Sequence, residues 1–271
     1  MHKKIRMIVS DLDGTMLNEA FRIPEENQRA VQEAAAHGVL VTLATGRMYC
    51  SALPYARQLG IDVPLISYNG AVVKTVGGKR LQTSFLPADV VERVLKFVFE
   101  HKWYVQLYSE GKLYYAQATP RALAYEKESG IPGHAVGEKG LIEHAQDVPK
   151  LLVVTEDKET ADEALRLLAE EFPEEIMVMK SKENYVEIVK PGVSKAQAVL
   201  ALAQSLGISA DEIMALGDSG NDVSMLRACG LGVAMGSASD KVKAEADVVT
   251  GMSGEPGVAE AIRRYVLEAE L

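Results

Sequence analysis

Short apolar runs alternate with helical patterns at both ends of this chain, and that alternation restricts its fold more than any other feature. Residues 5–10 form an apolar run long enough for a buried strand. A helical pattern opens at Pro24 and runs to His37, with Gly38 as its stop. Residues 39–45 are a second apolar run, and a helical pattern over 49–59 contains Pro54 and ends at Gly60. Residues 64–68 form a third short strand, and Gly77-Gly78 marks a hairpin between 71–76 and 79–84. Strand, helix, strand, helix, strand predicts a parallel sheet with helices on its faces. The end of the chain returns to this grammar: a helix over 194–206 capped by Ser194, a strand over 213–216, a helix over 223–229, strands over 231–235 and 247–250, and a last helix from about Pro256.

The middle reads differently. Between 84 and 190, strands come in adjacent pairs, at 103–109 with 112–116 and at 176–180 with 185–189. Eleven of the sixteen aromatic residues lie there, including Trp103. Paired strands and a shift in composition predict an inserted α+β domain. The expected division is a core of 1–83 with 191–271, interrupted by 84–190. A length of 271 residues suits two domains.

Composition excludes several classes. Apolar residues make up 48% and charged residues 25%, so disorder is not expected. No run is long enough to span a bilayer, and the N-terminus lacks the pattern of a signal peptide. A cytoplasmic protein is expected, with no membrane partner. The net charge of −9 argues against nucleic acid as a partner. Cys50 and Cys229 stand far apart in no metal-ligand spacing, which predicts two buried or half-buried thiols.

Four segments could carry chemistry. Asp11-Leu12-Asp13-Gly14-Thr15 comes straight after an apolar strand, and open parallel sheets bind ligands outside the carboxyl ends of their strands. Two carboxylates there can divide labour as nucleophile or metal ligand and as acid and base. The bland reading is a solvated Asp-Gly turn. Gly217-Asp218-Ser219-Gly220-Asn221-Asp222 follows another strand and brings two more acids to the same edge. Converging acids repel, and a divalent cation with oxygen ligands resolves the conflict; magnesium (Mg2+) suits such a set. The alternative is a run of helix-capping residues. Ala44-Thr45-Gly46-Arg47 offers a hydroxyl and backbone N–H groups at a helix start, an anion site. Lys195 falls in the first turn of a helix; most lysines are merely solvated. Thr45, Gly46, Lys195 and the metal could together supply positive field to one phosphate. The dinucleotide, nucleotide-loop, nucleophile-elbow and H-E-x-x-H templates are all missing.

With these four elements in this order, the chain resembles the haloacid dehalogenase superfamily, and more closely its Cof-type hydrolases with a type IIB cap. The resemblance covers essentially the full length. Asn69-Gly70-Ala71 and Val233-Ala234-Met235-Gly236 also match that subgroup. Gly254-Glu255-Pro256-Gly257-Val258 departs from it: the subgroup often has an acidic residue where Pro256 stands and an Asn earlier in the loop.

The resemblance implies an α/β fold, a doubly wound Rossmann-like parallel-sheet core with an inserted α+β cap that closes over the site and chooses the leaving group. It implies a magnesium-dependent phosphatase acting on sugar phosphates or related small monoesters. Asp11 would become an aspartyl phosphate, and Asp13 would serve as acid and then base. Thr45, Gly46 and Lys195 would hold the phosphoryl oxygens. Arg47, Asn69, Gly70 and Asn221 would contact phosphate or substrate. Asp11, the Asp13 carbonyl and Asp218 would ligate the metal, with Asp222 close behind. A phosphomutase and a non-catalytic metabolite-binding protein of the same fold are the rival readings, and a monomer or weak homodimer is expected.

Overall fold

The computed structural model describes residues 4–253 and 255–268. The chain forms two compact units, one of residues up to Gln82 together with those from Ser194 onward, the other Thr83–Val193.

The first unit opens with β1 (Met7–Ser10), α1 (Glu25–Ala36), β2 (Leu40–Leu43), α2 (Tyr49–Leu59), β3 (Leu65–Ser67), β4 (Val72–Lys74) and β5 (Arg80–Thr83). The second unit follows with α3 (Ala88–Glu100), β6 (Tyr104–Ser109), β7 (Lys112–Tyr115), α4 (Pro120–Ser129), β8 (Gly133–Ala135), α5 (Gly137–Glu143), β9 (Lys150–Val154), α6 (Lys158–Glu171), β10 (Met177–Lys182) and β11 (Tyr185–Val189). The chain then returns to the first unit with α7 (Lys195–Ser205), β12 (Ile213–Gly217), α8 (Val223–Ala228), β13 (Leu231–Ala234), α9 (Asp240–Lys243), β14 (Val248–Val249) and α10 (Gly257–Ile262).

The main sheet of the first unit has the order β14-β13-β12-β1-β2, and every pair in it is parallel. All four residues of β1 are buried, as a strand covered on both faces requires. The chain leaves β1 toward β2 on one side and returns at β12 on the other. Beside β1 the strand order therefore switches direction, the place where open α/β sheets hold ligands. In the register, Ser10 faces both Leu216 of β12 and Leu43 of β2, so three strands end at one level.

The third strand, expected in the parallel sheet, pairs antiparallel instead: β3 joins β4 in a separate three-stranded sheet, β3-β4-β5. Toward the main sheet, Ala44 bridges Ile66, Thr45 N–H donates to Ile66 O at 3.0 Å and Thr42 Oγ1 donates to Pro64 O at 2.6 Å. The chain then turns through Tyr68 and Asn69, both left-handed at φ 52° and 55°.

The second unit builds a six-stranded sheet, β10-β11-β9-β6-β7-β8, antiparallel except between β7 and β8. Period-2 alternation sorts its faces. Val105, Leu107, Leu151, Val153, Val186 and Ile188 join Val91, Val94, Leu95 and Val98 of α3 in one apolar core. The interleaved positions hold Gln106, Tyr108, Lys150 and Glu187, all buried, with Lys150 paired to Glu187 at 3.3 Å.

Among the described residues, no helix is long and apolar enough to cross a membrane. Cys229 is buried, as expected, which pushes its thiol up to about 12, whereas Cys50 is exposed, contrary to the expectation for it.

Gly70 shows how tightly the first unit is closed around α7. Its φ is 105°, and a Cβ there would lie 2.3 Å from the Ser194 carbonyl oxygen. Gly70→Ala should destabilise the protein by about 2–3 kcal/mol, from strain plus the forced retreat of α7. Denaturant unfolding measures this, and an unchanged midpoint would contradict it.

Candidate active site

The shared register delivers three sequence motifs to one edge of the main sheet. Asp11 follows β1, and its N–H donates to Leu216 O at 3.0 Å. The chain then winds through a π-type turn, Leu12–Met16, interrupted by Asp13 (φ −76°, ψ 125°) and Gly14 (φ 75°). A Cβ on Gly14 would sit 2.4 Å from Asp218 Oδ2, so only glycine lets the turn after β1 meet the loop after β12. Thr15 Oγ1 donates to Asp218 Oδ1 at 3.0 Å and joins the same two segments.

Lys195 is the positive charge of this cluster. Ser194 caps α7 by accepting from Gln197 N–H, which starts the helix one residue before the lysine. The Lys195 ammonium donates to Asp11 Oδ1 at 2.7 Å and to Asp222 Oδ1 at 2.6 Å, with none of its side chain exposed. Burial pulls its pKa down, but the charges of Asp11 and Asp222 outweigh that and raise it, so it stays protonated. The other oxygen of Asp222, Oδ2, accepts the N–H groups of Asp218 and Ser219 at 3.1 and 3.0 Å. Ser219 Oγ lies 2.6 Å from Asn221 Oδ1.

A second group of residues lines the neighbouring loops. The Arg47 guanidinium forks onto Asp13, Nε to Oδ2 at 2.7 Å and Nη2 to Oδ1 at 2.5 Å. Burial lowers the Arg47 pKa, but its bonds and charge contact with Asp13 raise it further. Thr45, almost wholly buried, accepts from Arg47 N–H through its hydroxyl at 3.1 Å. The carbonyls of Thr45 and Arg47 accept the N–H groups of Asn69 and Tyr68 at 3.0 Å each. Asn221 Nδ2 donates to Asn69 Oδ1 at 3.0 Å, tying the loop after β12 to the turn after β3.

The structure thus brings Asp11, Lys195, Asp218 and Asp222 into one cluster and places Asp13 with Arg47. Helix α2 begins at Tyr49 with Met48 as its cap residue, so Thr45, Gly46 and Arg47 form the loop before it rather than its first turn. Sequence reasoning gave Thr15 no individual role and missed the Asp13–Arg47 fork. Thr15 closes the Asp-Leu-Asp-Gly-Thr motif and could have been found there; the fork joins residues 34 apart and had no local signal. In the departing loop, Gly254 lies outside the described residues. Its neighbour Gly257 accepts from Thr250 Oγ1 at 2.7 Å, and Gly251 N–H donates to Glu260 at 3.1 Å, which anchors α10.

The donor set fits a hard divalent cation. Asp11, Asp218 and Asp222 each offer a carboxylate oxygen within 4.8 Å of the others. Three carboxylates against one ammonium leave two negative charges unmatched. Burial, then the charge of Asp222, pushes Asp218 up to about 6. Burial also pushes Asp11 well above the usual carboxylate range, with Asp222 and Asp218 adding to it and Lys195 opposing it. Oxygen ligands alone suit magnesium, calcium or manganese rather than a softer metal.

These shifts set a testable pH dependence. The Asp218 carboxyl ordinarily titrates at 3.8 and in the fold at about 6. Between those values the unfolded chain has released a proton that the folded chain still holds, so without a cation stability falls as pH rises through that window. A divalent cation competes with the proton and relieves the cost. Excess cation should therefore raise Tm more at pH 7.5 than at pH 5. An equal rise at both, or none, would contradict the reading.

Comparisons with known proteins agree with this architecture. The family model for haloacid dehalogenase-like hydrolases matches residues 8–262. The 5-amino-6-(5-phospho-D-ribitylamino)uracil phosphatase YcsE of Bacillus subtilis (strain 168) is 30% identical over 263 residues, 97% of this chain and 96% of that protein. A haloacid dehalogenase-like hydrolase from Bacteroides thetaiotaomicron superposes with a TM-score of 0.88 at 27% identity, covering 96% of this chain and 99% of the other. The subclass IIB sugar phosphatase BT4131 superposes with a TM-score of 0.83 at 25% identity, covering 96% and 98%. The chain belongs to the haloacid dehalogenase-like hydrolases, and within them it is a phosphatase of the Cof type.

Proposed function

We propose that this phosphatase is magnesium-dependent, acts on small phosphate monoesters such as sugar phosphates, and works through an aspartyl phosphate on Asp11. One observation carries the proposal: a buried carboxylate beside two further acids, held through a single oxygen by an ammonium shared with Asp222. Lys195 fixes Oδ1 of Asp11, which leaves Oδ2 to attack phosphorus. Two of its three ammonium protons are engaged, and the third can reach a phosphoryl oxygen. The Thr45 hydroxyl and Gly46 amide complete the phosphate surround, supported by Asn69, Gly70 and Asn221. Arg47 stands at the edge of that surround.

Attack by Asp11 Oδ2 forms an O–P bond while the ester P–O bond breaks, and Asp13 gives its proton to the departing oxygen. Asp13 then takes a proton from water as that water attacks phosphorus, and the electron pair of the P–O bond returns to Asp11. Mg2+ held by Asp11, Asp218 and the Asp13 carbonyl, with Asp222 behind them, would neutralise phosphoryl charge and favour the anionic form of Asp11. Phosphoryl transfer depends on such positioning and charge neutralisation more than on covalent chemistry.

The relatives named above support the substrate class, since one acts on a phosphorylated ribityl group and another on sugar phosphates. We assign residues 84–190, which fall in the compact unit Thr83–Val193, the role of a cap that selects the leaving group.

Free phosphate release from a panel of sugar phosphates, nucleotides and cofactor phosphates tests the proposal. Release should require magnesium, stop in excess EDTA, and fall below roughly 1% in Asp11→Asn. Undiminished release in that variant would overturn the nucleophile. Phosphate retained on sugar, with turnover only when a bisphosphate is added, would make the protein a mutase.

A further inference from the structure

Among the described residues, Phe21 is the only phenylalanine, tyrosine or tryptophan that stands exposed, with 43% of its surface open. Its backbone is costly as well. A φ of 55° is left-handed, a region bulky apolar residues rarely adopt. Hydrogen bonds brace the turn that presents it. Asn18 Oδ1 accepts the N–H groups of Ala20 and Arg22 at 3.0 Å each, and Phe21 N–H donates to Asn18 O at 2.9 Å. The Tyr55 hydroxyl, from α2, donates to Phe21 O at 3.2 Å. Neither burial nor backbone preference accounts for phenylalanine here, and strain kept in place by its surroundings marks a position whose side chain is used.

The ring stands beside the candidate site. Arg47 Cζ lies 5.4 Å from the Phe21 ring centroid, and the same guanidinium forks onto Asp13. One guanidinium thus separates the ring from the carboxylate toward which the ester oxygen departs in the proposed reaction. The group attached to that oxygen meets Arg47 first and Phe21 next. The fork uses two of the five N–H donors of a guanidinium. Nη1 also approaches Ser51 Oγ at 3.5 Å. An open aromatic ring beside N–H donors suits a sugar ring, which has a C–H face to lay on the aromatic one and hydroxyls at its edge for the donors.

We propose that Phe21 is a specificity-determining residue, a platform for the C–H face of a cyclic sugar leaving group, so that pyranose monophosphates are preferred to open-chain polyol phosphates. This rests on the reading of the protein as a phosphatase of sugar phosphates. An open chain has no fixed flat face and must lose rotational freedom to imitate one. The contact lies away from the reacting atoms and holds substrate and transition state alike, so its loss is felt in KM more than in kcat.

The test compares D-glucose 6-phosphate with D-sorbitol 6-phosphate, which carry the same phosphate on the same length of carbon chain and differ in the ring. The native protein should favour the glucose ester roughly fivefold in kcat/KM, the size of a face contact on an aromatic ring. Phe21→Asn removes the ring, and asparagine tolerates left-handed backbone, so the turn is kept and Tm should change little. That variant should lose the preference, through a higher KM for the glucose ester. Phe21→Tyr keeps the ring and should keep the preference. Equal native kcat/KM for the two esters, a preference for the sorbitol ester, or a preference that survives in Phe21→Asn would overturn the platform. So would a fall in Tm with both esters losing equally, since Phe21 would then be structural. Acetyl phosphate, which has no ring, separates the two levels of the argument. Release from it but from neither sugar ester would overturn the sugar-phosphate reading and the platform with it; release from both sugar esters without a ring preference would overturn the platform alone.

Discussion

A single buried ammonium holds the site together. Lys195 sits between Asp11 and Asp222 with no exposed side-chain surface, and each of its contacts crosses a large sequence separation. Carboxylates this deep are costly to ionise, and removing one partner of such a cluster typically costs 3–5 kcal/mol, about what a small domain can spare. The surrounding structure follows from keeping that lysine in place. Ser194 starts its helix, Gly70 lets the neighbouring turn touch the Ser194 carbonyl, and Asp222 spends its second oxygen on the backbone of Asp218 and Ser219. Strong pairing and incomplete neutralisation coexist here. The site is densely hydrogen-bonded yet still short of positive charge, which suits it to a cation and a phosphate.

Strand register does the rest of the assembly. Ser10 is level with both Leu43 and Leu216, so the loops that follow emerge side by side. Their convergence needs close backbone approach, and Gly14 supplies it against Asp218. A chemistry of four or five polar groups is thereby carried on rigid strand ends, where a shift of a fraction of an ångström in one loop is resisted by its neighbours.

Much of this was legible in the chain because the signals are local. An apolar run followed by Asp11, or by Gly217 and Asp218, announces a strand end with acids on it. A Ser194 cap announces where Lys195 enters a helix. Other features were hidden for physical reasons. The strand over 65–67 looks like its parallel neighbours in composition, and the hairpin partner that follows it pairs it into another sheet. Helix α5 contains Gly137 and Gly140, which mask a helical pattern, and β8 has only three residues. The Asp13–Arg47 fork and the contacts of Arg47 with the Phe21 and Tyr55 rings are tertiary contacts over 34, 26 and 8 residues, and periodicity carries no information about them.

The central claim is that phosphate passes through Asp11. A rapid acid quench during turnover, borohydride reduction of any acyl phosphate, and peptide mass spectrometry test it most directly. The account predicts homoserine at position 11, formed only when substrate was present. Full turnover with unmodified Asp11 at every quench time, or reduction at another carboxylate, would contradict it.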